Sequence, residues 1–205
     1  MFSNTTLLLT APMLVAFGVL MTSQEPTLIE RAEASGGRPL TIRVLRETVP
    51  ISIEALSAQS DLVVVSRLVR LQSYLSENKK QIFTDYVIVP SKVLLGRIEP
   101  RPTPGPTPRM VLTVLGGQIN VRGTLITMVN EKSNPIKNEG EFLLFASRVK
   151  GGENRFYPTQ DSAGLFEIRD GQRVQPLFRR NDVDPEVEGV PFEAIARKIQ
   201  AGQRR

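Results

Sequence analysis

Hydrophobic patterning is strongest in "DLVVVSRLVRLQSYL", residues 61 to 75. Val63, Val64 and Val65 are apolar on successive positions, as a strand buried on both faces requires. Beyond Arg67 the pattern becomes mixed, and a bulge near Ser66 and Arg67 would reset the alternation. After the polar turn "SENKK" the chain returns through "QIFTDYVIVPSKVLLG", which predicts an antiparallel hairpin. Pro90 lies inside that second strand. Proline in a sheet is confined to edges, strand starts and bulges. Strand-forming residues resume at Val93, so Pro90 marks a corner rather than an end. Bent strands allow a small sheet to close on itself.

Shorter segments follow. Residues 98 to 109, "IEPRPTPGPTPR", carry alternate prolines and predict a stiff, extended surface loop. Gly116-Gly117 in "MVLTVLGGQINVRG" predicts a tight turn between two strands. "TLITMV" continues as strand, "EFLLFASRV" (residues 141 to 149) as a strand buried on both faces, and "RFYPTQ" as a short one. Asp170-Gly171 in "LFEIRDGQRVQPL" predicts a hairpin. Two helices bracket the strands. In "SIEALSAQSD" Ser52 can cap, Glu54 lies in the first turn and Leu56 faces inward. In "PFEAIARKIQAG" Phe192, Ile195, Ala196 and Ile199 share one face, with Pro191 at the start. This order of elements predicts a barrel or a sandwich. Residues 24–48 read as a linker in which "TIRVLRETVP" could form a short strand. The β domain spans 49–180, and residues 181–205 hold an acidic loop, the last helix and a basic tail.

The first 24 residues carry no charged side chain, and "LLLTAPMLVAFGVLM", residues 7 to 21, is apolar. A membrane-spanning helix needs about 20 such residues. The segment 1–23 therefore reads first as a secretory signal peptide and second as an N-terminal membrane anchor. Either places the protein outside the cytoplasm: periplasmic, secreted or anchored. Composition narrows the chemistry further. The chain has no cysteine, no histidine and no tryptophan. A thiol nucleophile, a Cys-type zinc site and a Ser-His-Asp triad are excluded. The net charge of +5 favours acidic neighbours only weakly.

The succession "SDLVVVSRLVRLQSYL", "IFTDYVIVPSKVLLG", a double glycine and "GEFLLFASRV" resembles an OB-fold-like bacterial domain. It is similar to the netrin-like domain of tissue inhibitors of metalloproteinases. The matching positions are Thr84, Tyr86, Val93, Leu94 and Gly96 in one strand, and Gly140, Glu141, Phe142 and Leu143 in a later one. The resemblance covers roughly residues 52 to 170. It implies a mainly β, closed or partly open OB-like barrel, with a short helix before it and a C-terminal helix, acting as an exported binding module. Those inhibitors chelate a catalytic zinc through an amino-terminal cysteine. This chain has none, so that mechanism does not transfer, and neither does any functional residue.

Candidate chemistry is sparse. Asp182, Asp184, Glu186 and Glu188 alternate in "NDVDPEVEG", and clustered carboxylates are the ligand type calcium takes. Their spacing is not that of an EF-hand, and a solvated acidic turn is a better reading of them than calcium. Asp85 lies inside an apolar strand. Facing inward it would be an acid catalyst by type; otherwise it pairs with an arginine or faces out. A carboxylate-based hydrolase would need a second carboxylate about 5–10 Å away in a cleft. Arg169, Arg173, Arg179, Arg180, Arg197, Lys198, Arg204 and Arg205 cluster late in the chain. OB-folds that hold single strands add stacked aromatics to such a groove. Aromatics here are 6% of residues and fall in core strands, which argues against nucleic acid. No cofactor motif is present. The expectation is a non-enzymatic module for a protein or envelope partner, with the hydrolase and a calcium-stabilised structural domain as alternatives.

Overall fold

A computed structural model describes residues 25–45, 51–98, 110–131, 135–137, 140–151, 154–170, 172–177 and 187–202. The apolar segment 7–21, the proline-rich stretch from 99 to 109, and Asp182, Asp184, Glu186, Arg179, Arg180, Arg204 and Arg205 lie outside them. No described helix is long and apolar enough to cross a membrane.

The barrel is built from five strands: β2 (Leu62–Leu75), β3 (Ile82–Leu95), β4 (Met110–Leu115), β7 (Glu141–Arg148) and β8 (Arg155–Pro158). β2 pairs antiparallel with β3 and with β7, and β3 pairs antiparallel with β4. β4 then pairs in parallel with β8, and β8 closes antiparallel onto the second half of β7. In barrel order the first strand touches the second and the fourth, and the third touches the fifth. This is the closed five-stranded OB-like arrangement the sequence led us to expect.

Pro90 sits at the bend. Val65 pairs with Lys92 and Ser66 with Pro90, so Ser91 is the extra residue of a bulge. The Ser91 hydroxyl donates to the Val65 carbonyl at 3.1 Å. The shift thus falls at the expected place, but the inserted residue belongs to β3. The extra residue of β2 is Leu71, between the pairs Arg70–Tyr86 and Gln72–Asp85.

Two cores flank the barrel wall. Inside lie Leu62, Val64, Leu68, Ile88, Leu112, Phe142, Leu144 and Phe156. Outside, Val63, Val65, Leu143 and Phe145 pack against α2 (Ile53–Ala58) and α3 (Phe192–Gly202). Successive residues of β2 and β7 are therefore buried, because a layer covers each face. Ser52 caps α2 by accepting from the Ala55 amide, and Ile195, Ala196 and Ile199 are the buried stripe of α3. β9 (Leu165–Arg169) and β10 (Arg173–Pro176) extend the wall from the first half of β7, and β11 (Val190–Pro191) ends it.

A second, small sheet differs from expectation. β1 (Leu40–Val44), β6 (Thr124–Asn130) and β5 (Gly117–Val121) form it, with α1 (Leu28–Ala34) beneath. The stretch read as a linker thus contributes a helix and a strand. Thr27 and Glu30 make a reciprocal capping box that starts α1, and Leu28 and Ala32 are buried by it. β1 lies parallel to β6, pairing Leu40 with Ile126 through Val44 with Asn130. Nor do Gly116 and Gly117 form a hairpin turn. They carry the chain from the barrel to the small sheet, and the hairpin turn is at Arg122-Gly123, both at positive φ. A side chain at Gly117 would collide with the Thr84 hydroxyl, which donates to the Gly116 carbonyl at 2.6 Å.

Candidate functional site

Among the described residues, no α-helix covers the outer face formed by the second half of β2 with the adjoining parts of β3, β4 and β8. Alternation places Phe83, Asp85 and Val87 on it from β3, Thr113 and Val111 from β4, and Arg155 and Tyr157 from β8. Tyr74 joins from β2 beside Phe83, ring centroids 6.2 Å apart.

Asp85 is at the centre and only 1% exposed. Being on the outer face, it is buried by side chains rather than by the barrel. The Thr113 hydroxyl donates to its Oδ1 at 2.7 Å and the Tyr74 hydroxyl at 3.3 Å. Arg155 reaches Oδ2 with Nη2 at 3.2 Å and Oδ1 with Nη1 at 3.3 Å. The same Nη1 lies 3.0 Å from the Tyr74 hydroxyl and 3.2 Å from that of Thr113. Partial burial pulls the Arg155 pKa down, but the Asp85 carboxylate and the Tyr74 hydroxyl outweigh it, leaving the guanidinium above its ordinary value. Arg155 is a permanent cation, and Asp85 is its hydrogen-bonded counter-ion. That arrangement spends the carboxylate on four contacts. It suits positioning of Arg155 and Tyr74 better than proton transfer.

Around this pair the face mixes apolar side chains with the exposed Gln72, the cross-strand partner of Asp85 on β2. Val69 is 50% exposed, Leu71 47% and Tyr157 43%. A shallow cleft of about 210 Å³ lies at one side, lined by Phe83, Leu115, Asn130, Tyr157, Pro158 and Asp161.

The other candidates separate. Glu188 is exposed in the turn before β11. Among the described residues no group of three metal-ligating side chains comes together. Glu141 opens β7, with its carboxylate 3.1 Å from the same Ser91 hydroxyl, which shares its one proton between this oxygen and the Val65 carbonyl. Within the basic cluster, Arg169 pairs with Glu167 at 2.8 Å and Lys198 with Glu54 at 3.7 Å. Sequence reasoning singled out Asp85 and named an arginine partner as one outcome, but it did not identify Arg155. Parallel pairing of β4 with β8 brings Arg155 to Thr113 and Asp85, and no local pattern in "ENRFYP" signals that.

No protein-family model matches the chain, and no curated protein matches it.

Proposed function

We propose that this chain is an exported, non-enzymatic binding module whose partner is another protein of the cell envelope. The observation that carries the reading is the uncovered barrel wall. Exposed apolar and aromatic side chains, Val69, Leu71 and Tyr157, lie on the strands that carry an Asp85–Arg155 pair already hydrogen-bonded. Protein interfaces are built this way: an apolar and aromatic centre, an arginine held in place, and polar groups satisfied before contact. The resemblance to netrin-like inhibitor domains supports a protein partner, and the uncharged segment 1–23 supports export, by cleavage or by anchoring. With no cysteine, recognition works through the barrel wall and not through an amino-terminal zinc chelator.

The test is crosslinking capture in the native host with the full chain tagged at its C-terminus, read by mass spectrometry. A Val69→Glu, Tyr157→Glu double variant runs in parallel. The expected result is one envelope protein recovered with the parent and lost with the variant. That protein, once purified, should bind the parent at least about tenfold more tightly than the variant. Equal recovery by both chains, or no enriched protein, overturns the reading.

A further inference from the structure

Beyond the wall, the end of the barrel facing the small sheet opens into a cleft of about 360 Å³. That is within the range of about 300–1,000 Å³ typical of small-molecule sites. Its floor is apolar, from Val114, Leu115, Met128 and Ile136. The glycines at 116 and 117 leave that side free of side chains. Among the polar side chains that line the opening, with Thr84, Gln118 and Asn130, are Arg70 and Tyr86, paired across β2 and β3.

Both are unspent. Arg70 has the same strand parity as inward-facing Leu68, but β2 has by then passed the end of β7, so its side chain hangs over the mouth. Its Nη2 donates to the Ser73 hydroxyl at 2.9 Å, and among the described residues no carboxylate pairs with it. Tyr86 is half-buried, and its hydroxyl has no hydrogen-bond partner among the described residues. Burial raises the Tyr86 pKa, only partly opposed by Arg70, so the phenol is a neutral donor at ordinary pH. By contrast the Thr84 hydroxyl is engaged with Ser73 and Gly116.

We infer that this mouth is a binding site for a small carboxylate with an apolar body, the head held by Arg70 and Tyr86 and the body lying on Val114, Leu115 and Met128. An arginine offers a carboxylate two parallel donors, and a phenol adds a third. The site shares Leu115 with the cleft beside the uncovered wall, but its carboxylate-binding end at Arg70 and Tyr86 lies apart from that cleft and does not depend on the protein partner.

Octanoate, octanol and octylammonium, used as probes at equal concentration with the purified full chain, distinguish the alternatives by calorimetry and by amide shifts in NMR. Octanoate should bind, with shifts at Tyr86, Gly116 and Met128, and octanol should bind at least about tenfold more weakly. Arg70→Gln should weaken octanoate by a similar factor, and Arg70→Glu should reverse the preference toward octylammonium. Arg70 is exposed, so both variants should keep the parent's fold; Tyr86→Phe, with a smaller loss, is a second check. Equal binding of octanoate and octanol, or octanoate binding unchanged in Arg70→Gln, overturns the assignment. So does the absence of any shift at the mouth with octanoate.

Discussion

The two halves of β2 are one strand in two environments. Leu62 to Val65 have β3 on one side, β7 on the other, the barrel core on one face and α2 with α3 on the other. All four are buried. From Val69 onward β7, α2 and α3 no longer cover the strand, and among the described residues β3 is its only ladder partner. Val69 is half-exposed although it is the same residue type as Val64, which is fully buried. Apolar sequence therefore means different things along this strand. In the first half it records two covering layers. In the second it records a surface left open, and polar groups there are handled by pairing, as at Asp85.

The widest separation between the halves should come from paired truncations. Phe145→Ala removes a ring packed edge-on to Phe166 at 5.6 Å and should cost about 3–5 kcal/mol. Val69→Ala should cost less than about 0.5 kcal/mol. Equilibrium urea unfolding measures both, and similar losses would erase the contrast. Next is the ion pair on the open half. Arg155→Met leaves Asp85 buried with only two hydroxyl donors and should cost about 2 kcal/mol, less than a fully buried pair because Arg155 is partly exposed. In the Asp85→Asn, Arg155→Met double variant part of that loss should return; strict additivity would mean the two groups do not interact.

Ser66 stands at the junction, fully buried, with a hydroxyl that has no partner among the described residues. Ser66→Ala should raise stability by about 1 kcal/mol in the same assay, because it removes an unsatisfied polar atom. A loss instead would show that the hydroxyl is bonded. The smallest effect concerns Tyr86. Its pKa in the folded chain is raised by burial, so its contribution to stability is complete below the ordinary phenol value. That contribution is lost as pH climbs through the higher folded value, above about pH 10. Stability measured against pH should fall there in the parent and fall less in Tyr86→Phe; parallel curves would place Tyr86 in a more open setting.

Much of the barrel was legible because its signals are local. The valine run, the proline corner, the Asp170 hairpin and the stripe on α3 depend on near neighbours in sequence. The small sheet was not, because its strands gain their partner from far along the chain: Leu40 meets Ile126. One local cue to α1 was present in "TLIE", a capping box, but it was set among the glycines and proline of an apparent linker. The Gly116-Gly117 pair looked like a hairpin since two strands flank it; those strands belong to different sheets, which only tertiary packing decides. At the candidate sites, Asp85 stood out as a charge in an apolar strand. Arg70 and Arg155 did not, because an arginine on a strand looks the same whether it meets solvent, a carboxylate or a cavity.

The parallel seat of β1 on β6 also sets an order of events. A chain made from its amino end produces Leu40, Ile42 and Val44 long before Ile126, Met128 and Asn130 exist to receive them. Those apolar side chains must wait through most of the barrel's synthesis, and such distant pairings are slow to form. The strand that emerges first is thus among the last to be seated, and until then its apolar side chains are exposed.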